Sequence, residues 1–135
     1  MTLVLIWSSN VANSNNPYSY DLRKKIIEAN TSNQAININA LPDFPDDMQW
    51  WECILNYIPK DTKTITLYFW DENSDSAIKS IKNIQKIFPC KIIFKEIPRS
   101  IIPISATQVR EAIENQNNDF LNVNLSKNTL EILRK

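Results

Sequence analysis

The sequence contains no glycine and no histidine. Without histidine it lacks the side chain most used for general acid–base work, proton shuttling and zinc ligation. The two cysteines, Cys53 and Cys90, lie far apart and form no CxxC pair. A zinc site therefore has too few ligands, and free thiols in a reducing compartment are expected. Without glycine, no backbone position can press against a nucleotide as glycine-rich phosphate loops do. Asparagine stands in, at Asn13, Asn15, Asn16, Asn115, Asn117 and Asn118, because it is the next-best residue for left-handed turn positions. No charge dominates: 15 basic residues balance 15 acidic ones. Nucleic acid and membrane surfaces, which call for a basic patch, are not expected partners. The N-terminal apolar run Leu3-Val4-Leu5-Ile6-Trp7 is too short for a signal segment and has no basic residue before it. No stretch approaches membrane-spanning length, and a cytoplasmic protein is expected.

What is present is ordinary for one globular domain over residues 1–135, with 43% hydrophobic and 22% charged residues. Leu3–Trp7 has the pattern of a strand buried on both faces. A polar loop from Ser8 to Pro17 leads to a helix near Ser19, a good N-cap, with Leu22, Ile26, Ile27 and Ala29 on one face. Ala35–Ala40 alternates as a strand. Pro45, Asp46 and Asp47 suit a helix opening. That helix carries Trp50, Trp51, Ile54, Leu55 and Ile58 and ends before Pro59. Thr64–Trp70 is the strongest strand, β-branched and aromatic. Ser74 is placed to cap a helix with Ile78, Ile81, Ile84, Ile87 and Phe88. Lys91–Lys95 reads as a strand, Ser105 to about Asn115 as a helix, and a last helix is capped by Ser126 and runs through Leu130, Ile132 and Leu133. Alternating strands and helices predict an α/β fold on a parallel sheet with right-handed crossovers.

In such sheets, ligands bind beyond the carboxyl ends of the strands. Three groups fall there: Ser19 and Arg23, Trp50, and Ser105, Thr107 and Arg110. Ile104-Ser105-Ala106-Thr107-Gln108-Val109-Arg110 reads as a helix start that gathers hydroxyls, backbone N–H groups and, one turn in, an arginine. Its unpaired donors and its dipole both favour an anion. Arg110, three residues beyond Thr107, shares its helix face, and Arg23 follows Ser19 by four residues as a second clamp. A tryptophan at a strand-end crevice can stack on a flat ring. Each group has a plainer reading. Ser105 can be only a cap, Thr107 a first-turn residue, Arg110 a solvated charge, and Arg23 part of a solvated face with Lys24 and Lys25. At least one of Trp50 and Trp51 must be core. Asp43, Asp46 and Asp47 can hold Mg²⁺, but acids at a helix start need no metal to explain them.

The segment Ile104–Arg110 resembles the I-S-x-T-x-[IV]-R motif of the nucleotidylyltransferase superfamily. Asn16-Pro17-Tyr18-Ser19-x-x-x-Arg23 is similar to N-P-[FY]-[ST]-x-x-x-R of the archaeal-type NMN adenylyltransferases. Leu41-Pro42-Asp43, with Trp50 seven residues after the aspartate, resembles that family's I-P-D…W. The three stretches occur in family order and span nearly the whole chain. By position, the resemblance assigns Arg23 and Arg110 to nucleotide phosphates, Ser105 and Thr107 to the phosphate-binding helix start, and Trp50 to stacking on nicotinamide. Asn16, Ser19 and Asp43 are the remaining matched positions. The implied fold is a Rossmann-like parallel sheet with helices on both faces. The implied activity joins ATP and nicotinamide mononucleotide (NMN) into NAD, with Mg²⁺ only as a companion of bound ATP.

The chain departs from that family in two places. The family opens with a strand and a glycine-rich turn bearing H-x-G-H, whereas this chain opens at what resembles the second strand. Phe69-Trp70-Asp71-Glu72 is bulky and acidic where the family has a small turn near the adenosine. The absent strand lies centrally in the family's sheet, so its loss would expose the edges of two neighbours. The chain would then close the gap, pair with another copy, or accept a strand from elsewhere, unless residues upstream are unrecorded. Three readings follow. The first is a nucleotide-binding NMN adenylyltransferase-like domain, degenerate or incomplete and weak or inactive without an H-x-G-H segment. The second is an enzyme completed by another chain. The third is a non-catalytic interaction or oligomeric scaffold that has lost the site.

Overall fold

The computed structural model describes residues 2–7, 9–10, 17–31, 35–71, 79–80, 85–102 and 104–134. The chain divides into two compact units, Met1–Asp43 with Ile104–Lys135, and Phe44–Pro103. Each contains one pair of parallel strands and at least one helix, so the chain is α/β.

In the first unit, β1 (Thr2–Trp7) and β2 (Ile36–Leu41) pair from Thr2 opposite Ile36 to Trp7 opposite Leu41. Their connection contains α1 (Tyr20–Asn30), since parallel neighbours need a crossover. Ser19 caps α1 as its spacing predicts, its side chain accepting from the Leu22 N–H. Burial deepens toward the carboxyl ends of the strands, where Ile6 is buried and Leu41 is wholly enclosed.

Three short helices complete this unit: α3 (Ala106–Glu114), α4 (Asn118–Asn124) and α5 (Lys127–Leu133). Ala112, Leu121 and Leu130 form a small core between them, with Val109, Ile113, Phe120 and Leu125 packed around it. Helix α5 also packs on α1 through a polar joint. Asn30 Nδ2 donates to Thr129 Oγ1 at 2.9 Å, Ser126 Oγ donates to Asn30 Oδ1, and Asn128 Nδ2 donates to the Ala29 carbonyl at 2.9 Å.

Helix α4 goes beyond the sequence-based expectation. Its residues, rich in asparagine, are weak helix formers. Two tertiary features secure it: the Asn117 side chain accepts from the Phe120 N–H, and Leu121 is buried in the small core. In the turn before it, Gln116, with φ of 53°, adopts the left-handed conformation and its neighbours Asn115, Asn117 and Asn118 do not; Asn13, Asn15 and Asn16 lie outside the described residues. Gln116 N–H reaches the Ile113 carbonyl and Asn117 N–H the Ala112 carbonyl, the paired bonds of a Schellman ending, where glycine is usual.

In the second unit, α2 (Asp47–Tyr57) is capped by Asp46, whose side chain accepts from the Met48 N–H at 3.1 Å. It stops at Ile58, the residue before Pro59, whose ring disfavours a helical neighbour. Strands β3 (Thr64–Trp70) and β4 (Lys91–Ile97) pair from Thr64 opposite Lys91 to Trp70 opposite Ile97. The core here is aromatic: Trp51, Ile54, Phe88, Cys90 and Ile92 are buried. Trp51 meets Phe88 edge-on at 5.9 Å, and its indole N–H donates to Ser80 Oγ at 2.9 Å. Both cysteines are free thiols, Cys90 buried and Cys53 half-buried. Most of the helix predicted from Ser74 to Phe88 lies outside the described residues; Lys79 and Ser80 are helical, and residues 85–87 form a turn.

Among the described residues, β1 pairs with β2 and β3 with β4 and no further strand joins either pair. The described strands form two parallel ribbons, one in each unit.

Candidate functional site

The hydrogen bonds of the first unit gather the sequence-predicted residues into two clusters. One lies at the carboxyl ends of β1 and β2. Here Ser9 N–H donates to the Leu41 carbonyl at 3.3 Å, and the Asn10 side-chain oxygen accepts from the Asp43 N–H at 2.9 Å. Arg23 Nη1 donates to the Trp7 carbonyl at 2.6 Å, and its Nε to the Ser19 carbonyl at 3.4 Å. Ser19, Arg23 and Asp43 therefore stand where a parallel sheet offers ligand contacts. Arg23 donates to two of the chain's own carbonyls and so ties the end of β1 to the first turn of α1, while the Asp43 N–H is held by the Asn10 side chain. Asn16 lies outside the described residues.

The second cluster is the start of α3. Ser105 Oγ accepts from the Gln108 N–H at 3.2 Å, while Gln108 Oε1 accepts from the Ser105 N–H at 2.8 Å. This reciprocal capping box satisfies two of the four terminal donors. Two remaining donors belong to the first helical residues, Ala106 and Thr107. Arg110 Nη2 donates to Thr107 Oγ1 at 3.2 Å, so the guanidinium leans toward the helix start along one face. Thr107 is exposed and Arg110 half-buried. A hydroxyl, a fixed cation, two backbone donors and the positive end of the helix dipole together suit a phosphate oxygen. The plainer readings of Ser105 as a cap and Thr107 as a first-turn residue also describe what these groups do here.

Trp50 belongs to the second unit. It is half-buried and lies edge-on against Trp51, with centroids 4.8 Å apart and planes 86° apart. Trp51 is the core member of the pair, as the sequence requires of one of them. Asp46, a candidate for Mg²⁺, caps α2. Among the described residues, no group of three or more His, Cys, Asp or Glu is placed to hold a metal ion.

One cluster in the second unit has no counterpart in the sequence reading. The Arg99 guanidinium lies 4.6 Å from the Trp70 ring centroid, and Asp71 Oδ1 accepts the Arg99 N–H at 3.1 Å. Trp70 ends β3, and Asp71 and Arg99 follow the carboxyl ends of β3 and β4. The signal for it is register: Trp70 faces Ile97 across the ribbon, which brings Arg99, two residues on, beside the end of β3. The cation covers one face of Trp70, and Asp71 fixes the turn after β4.

Compared with known proteins, the chain matches no family model, and no curated sequence or solved structure is significantly similar to it. Among the described residues, no helix is long and apolar enough to cross a membrane.

Proposed function

We propose that the chain is a cytoplasmic nucleotide-binding protein of NMN adenylyltransferase type, derived from a Rossmann-like fold with helices on both faces of its sheet. The observation that carries the reading is the start of α3, where the Arg110 guanidinium reaches Thr107 Oγ1 beside a capped helix terminus. The ordered motifs around Arg23, Asp43 and Trp50 support it, as does the position of Ser19 and Arg23 at the end of β1.

The reaction of this type is attack of the NMN phosphate on the α-phosphorus of ATP, with release of pyrophosphate. Such transfer relies on positioning and charge stabilisation. Arg110, Thr107 and the α3 donors would hold phosphate oxygens, and Mg²⁺ would arrive with ATP. The sequence supplies no imidazole, and losing a transition-state donor costs about a hundredfold or more in rate. The chain by itself is therefore a binder of ATP, NMN or NAD and a poor catalyst. Replacing Arg110 by alanine should weaken ATP binding roughly tenfold or more with an unchanged circular-dichroism spectrum. Equal affinity of wild type and variant would remove the phosphate assignment.

A second reading, a non-catalytic α/β scaffold, is favoured by one observation: the Arg23 guanidinium is engaged by the Trp7 and Ser19 carbonyls. It predicts that no nucleotide binds. A third, completion by another chain, predicts that a peptide or subunit bearing the H-x-G-H unit restores turnover.

A further inference from the structure

We infer that Trp7 is the residue of the first unit on which the flat heteroaromatic base of a nucleotide stacks. The inference rests on the nucleotide reading and deepens it, because it names a ring contact within the unit that holds the phosphate groups. Along β1, Leu3, Val4 and Leu5 are half-buried and Ile6 is buried. Trp7 breaks that pattern, with 63% of its surface accessible. A single exposed hydrophobic residue needs no special account. The position of this one does, since it is the last residue of a parallel strand, the end where ligands approach such sheets. Its own carbonyl accepts from Arg23 Nη1 at 2.6 Å, so a candidate phosphate ligand is fixed to the same residue.

The surroundings of Trp7 within the unit are held in place. Its ladder partner Leu41 is wholly enclosed. Beyond the ladder, Ser9 N–H donates to the Leu41 carbonyl at 3.3 Å, and the Asn10 side chain accepts from the Asp43 N–H at 2.9 Å. A large π-face on a fixed strand end, with a guanidinium and a few polar groups close by in the fold, has the makeup of a nucleotide contact. Stacking on an aromatic side chain tolerates any base, so adenine and nicotinamide both suit it. Trp50, the stacking residue by motif, lies in the second unit and meets Trp51 edge-on. Trp7 shares its unit with Ser19, Arg23, Thr107 and Arg110.

Titration of wild type, Trp7→Ala and Trp7→Phe with NAD and with inorganic pyrophosphate tests this, with heat and tryptophan fluorescence both followed. Trp7→Ala should bind NAD roughly tenfold more weakly and pyrophosphate, which has no ring, as wild type does. Trp7→Phe keeps an aromatic face and should bind NAD close to wild type, yet lose most of the quenching, because the indole that reports the contact is gone. A merely structural role for Trp7 would leave that quenching in place. Equal NAD affinity of wild type and Trp7→Ala would overturn the assignment. So would an equal loss for NAD and pyrophosphate, a Trp7→Phe chain as weak as Trp7→Ala, or full quenching in Trp7→Phe. A wild type that binds NAD while Trp7→Ala binds it equally well removes only the stacking residue. A wild type that does not bind NAD removes the nucleotide reading and this inference with it.

Discussion

The two units share a plan, a pair of parallel strands with associated helices, but they are held together differently. The first is organised by polar terminations. Ser19, Ser105, Asn117 and Ser126 each cap a helix with a side-chain oxygen, and α1 meets α5 through Asn30, Ser126 and Thr129. Its helical core is small, centred on Ala112, Leu121 and Leu130. The second unit holds most of the aromatic residues and is organised by ring packing, with Trp51 between Trp50 and Phe88, Phe69 against Phe94, and Arg99 over Trp70. Capping fixes where helices begin and leaves donors at their ends for an anion. Ring packing stabilises mainly by burial. The candidate phosphate ligands Arg23, Thr107 and Arg110 accordingly lie in the first unit, and the candidate stacking residue Trp50 in the second.

The largest effect should come from the aromatic core. Replacing Trp51 by alanine removes a buried ring and its bond to Ser80, and should cost about 3–5 kcal/mol in urea unfolding. A loss below about 1 kcal/mol would show that ring packing does not organise this unit. Leu121→Ala in the helical core should cost less, roughly 2–3 kcal/mol, because the surrounding cluster is small. Ser126→Ala removes both a cap and the bond to Asn30, and should cost about 1–2 kcal/mol. Thermal unfolding would measure it, and a neutral result would mean that the polar joint is incidental. The smallest effect has the opposite sign. Gln116→Gly relieves a left-handed non-glycine residue and should stabilise by about 1 kcal/mol, read as a rise of a few degrees in Tm.

Local chemistry made much of this legible in the sequence. Ser19, Ser105 and Ser126 are recognisable as caps because the hydroxyl and the N–H it accepts are three residues apart. Strands β1 and β3 stand out as apolar or β-branched runs, and Thr107 and Arg110 are paired by helical spacing alone. What was not legible depends on partners distant along the chain. Helix α4 is weak by intrinsic preference and is secured by packing at Leu121. Which of Trp50 and Trp51 enters the core depends on Phe88. The Trp7 carbonyl that receives Arg23 lies 16 residues away, and Arg99 reaches Trp70 only through the register of β3 and β4.

The central claim is that a nucleotide site survives on this scaffold. Calorimetric titration of the purified wild-type chain with NAD, with tryptophan fluorescence followed in parallel, tests it most directly. The account predicts saturable heat accompanied by quenching. A folded sample that gives neither heat nor quenching would contradict it and leave the α/β scaffold without a nucleotide site.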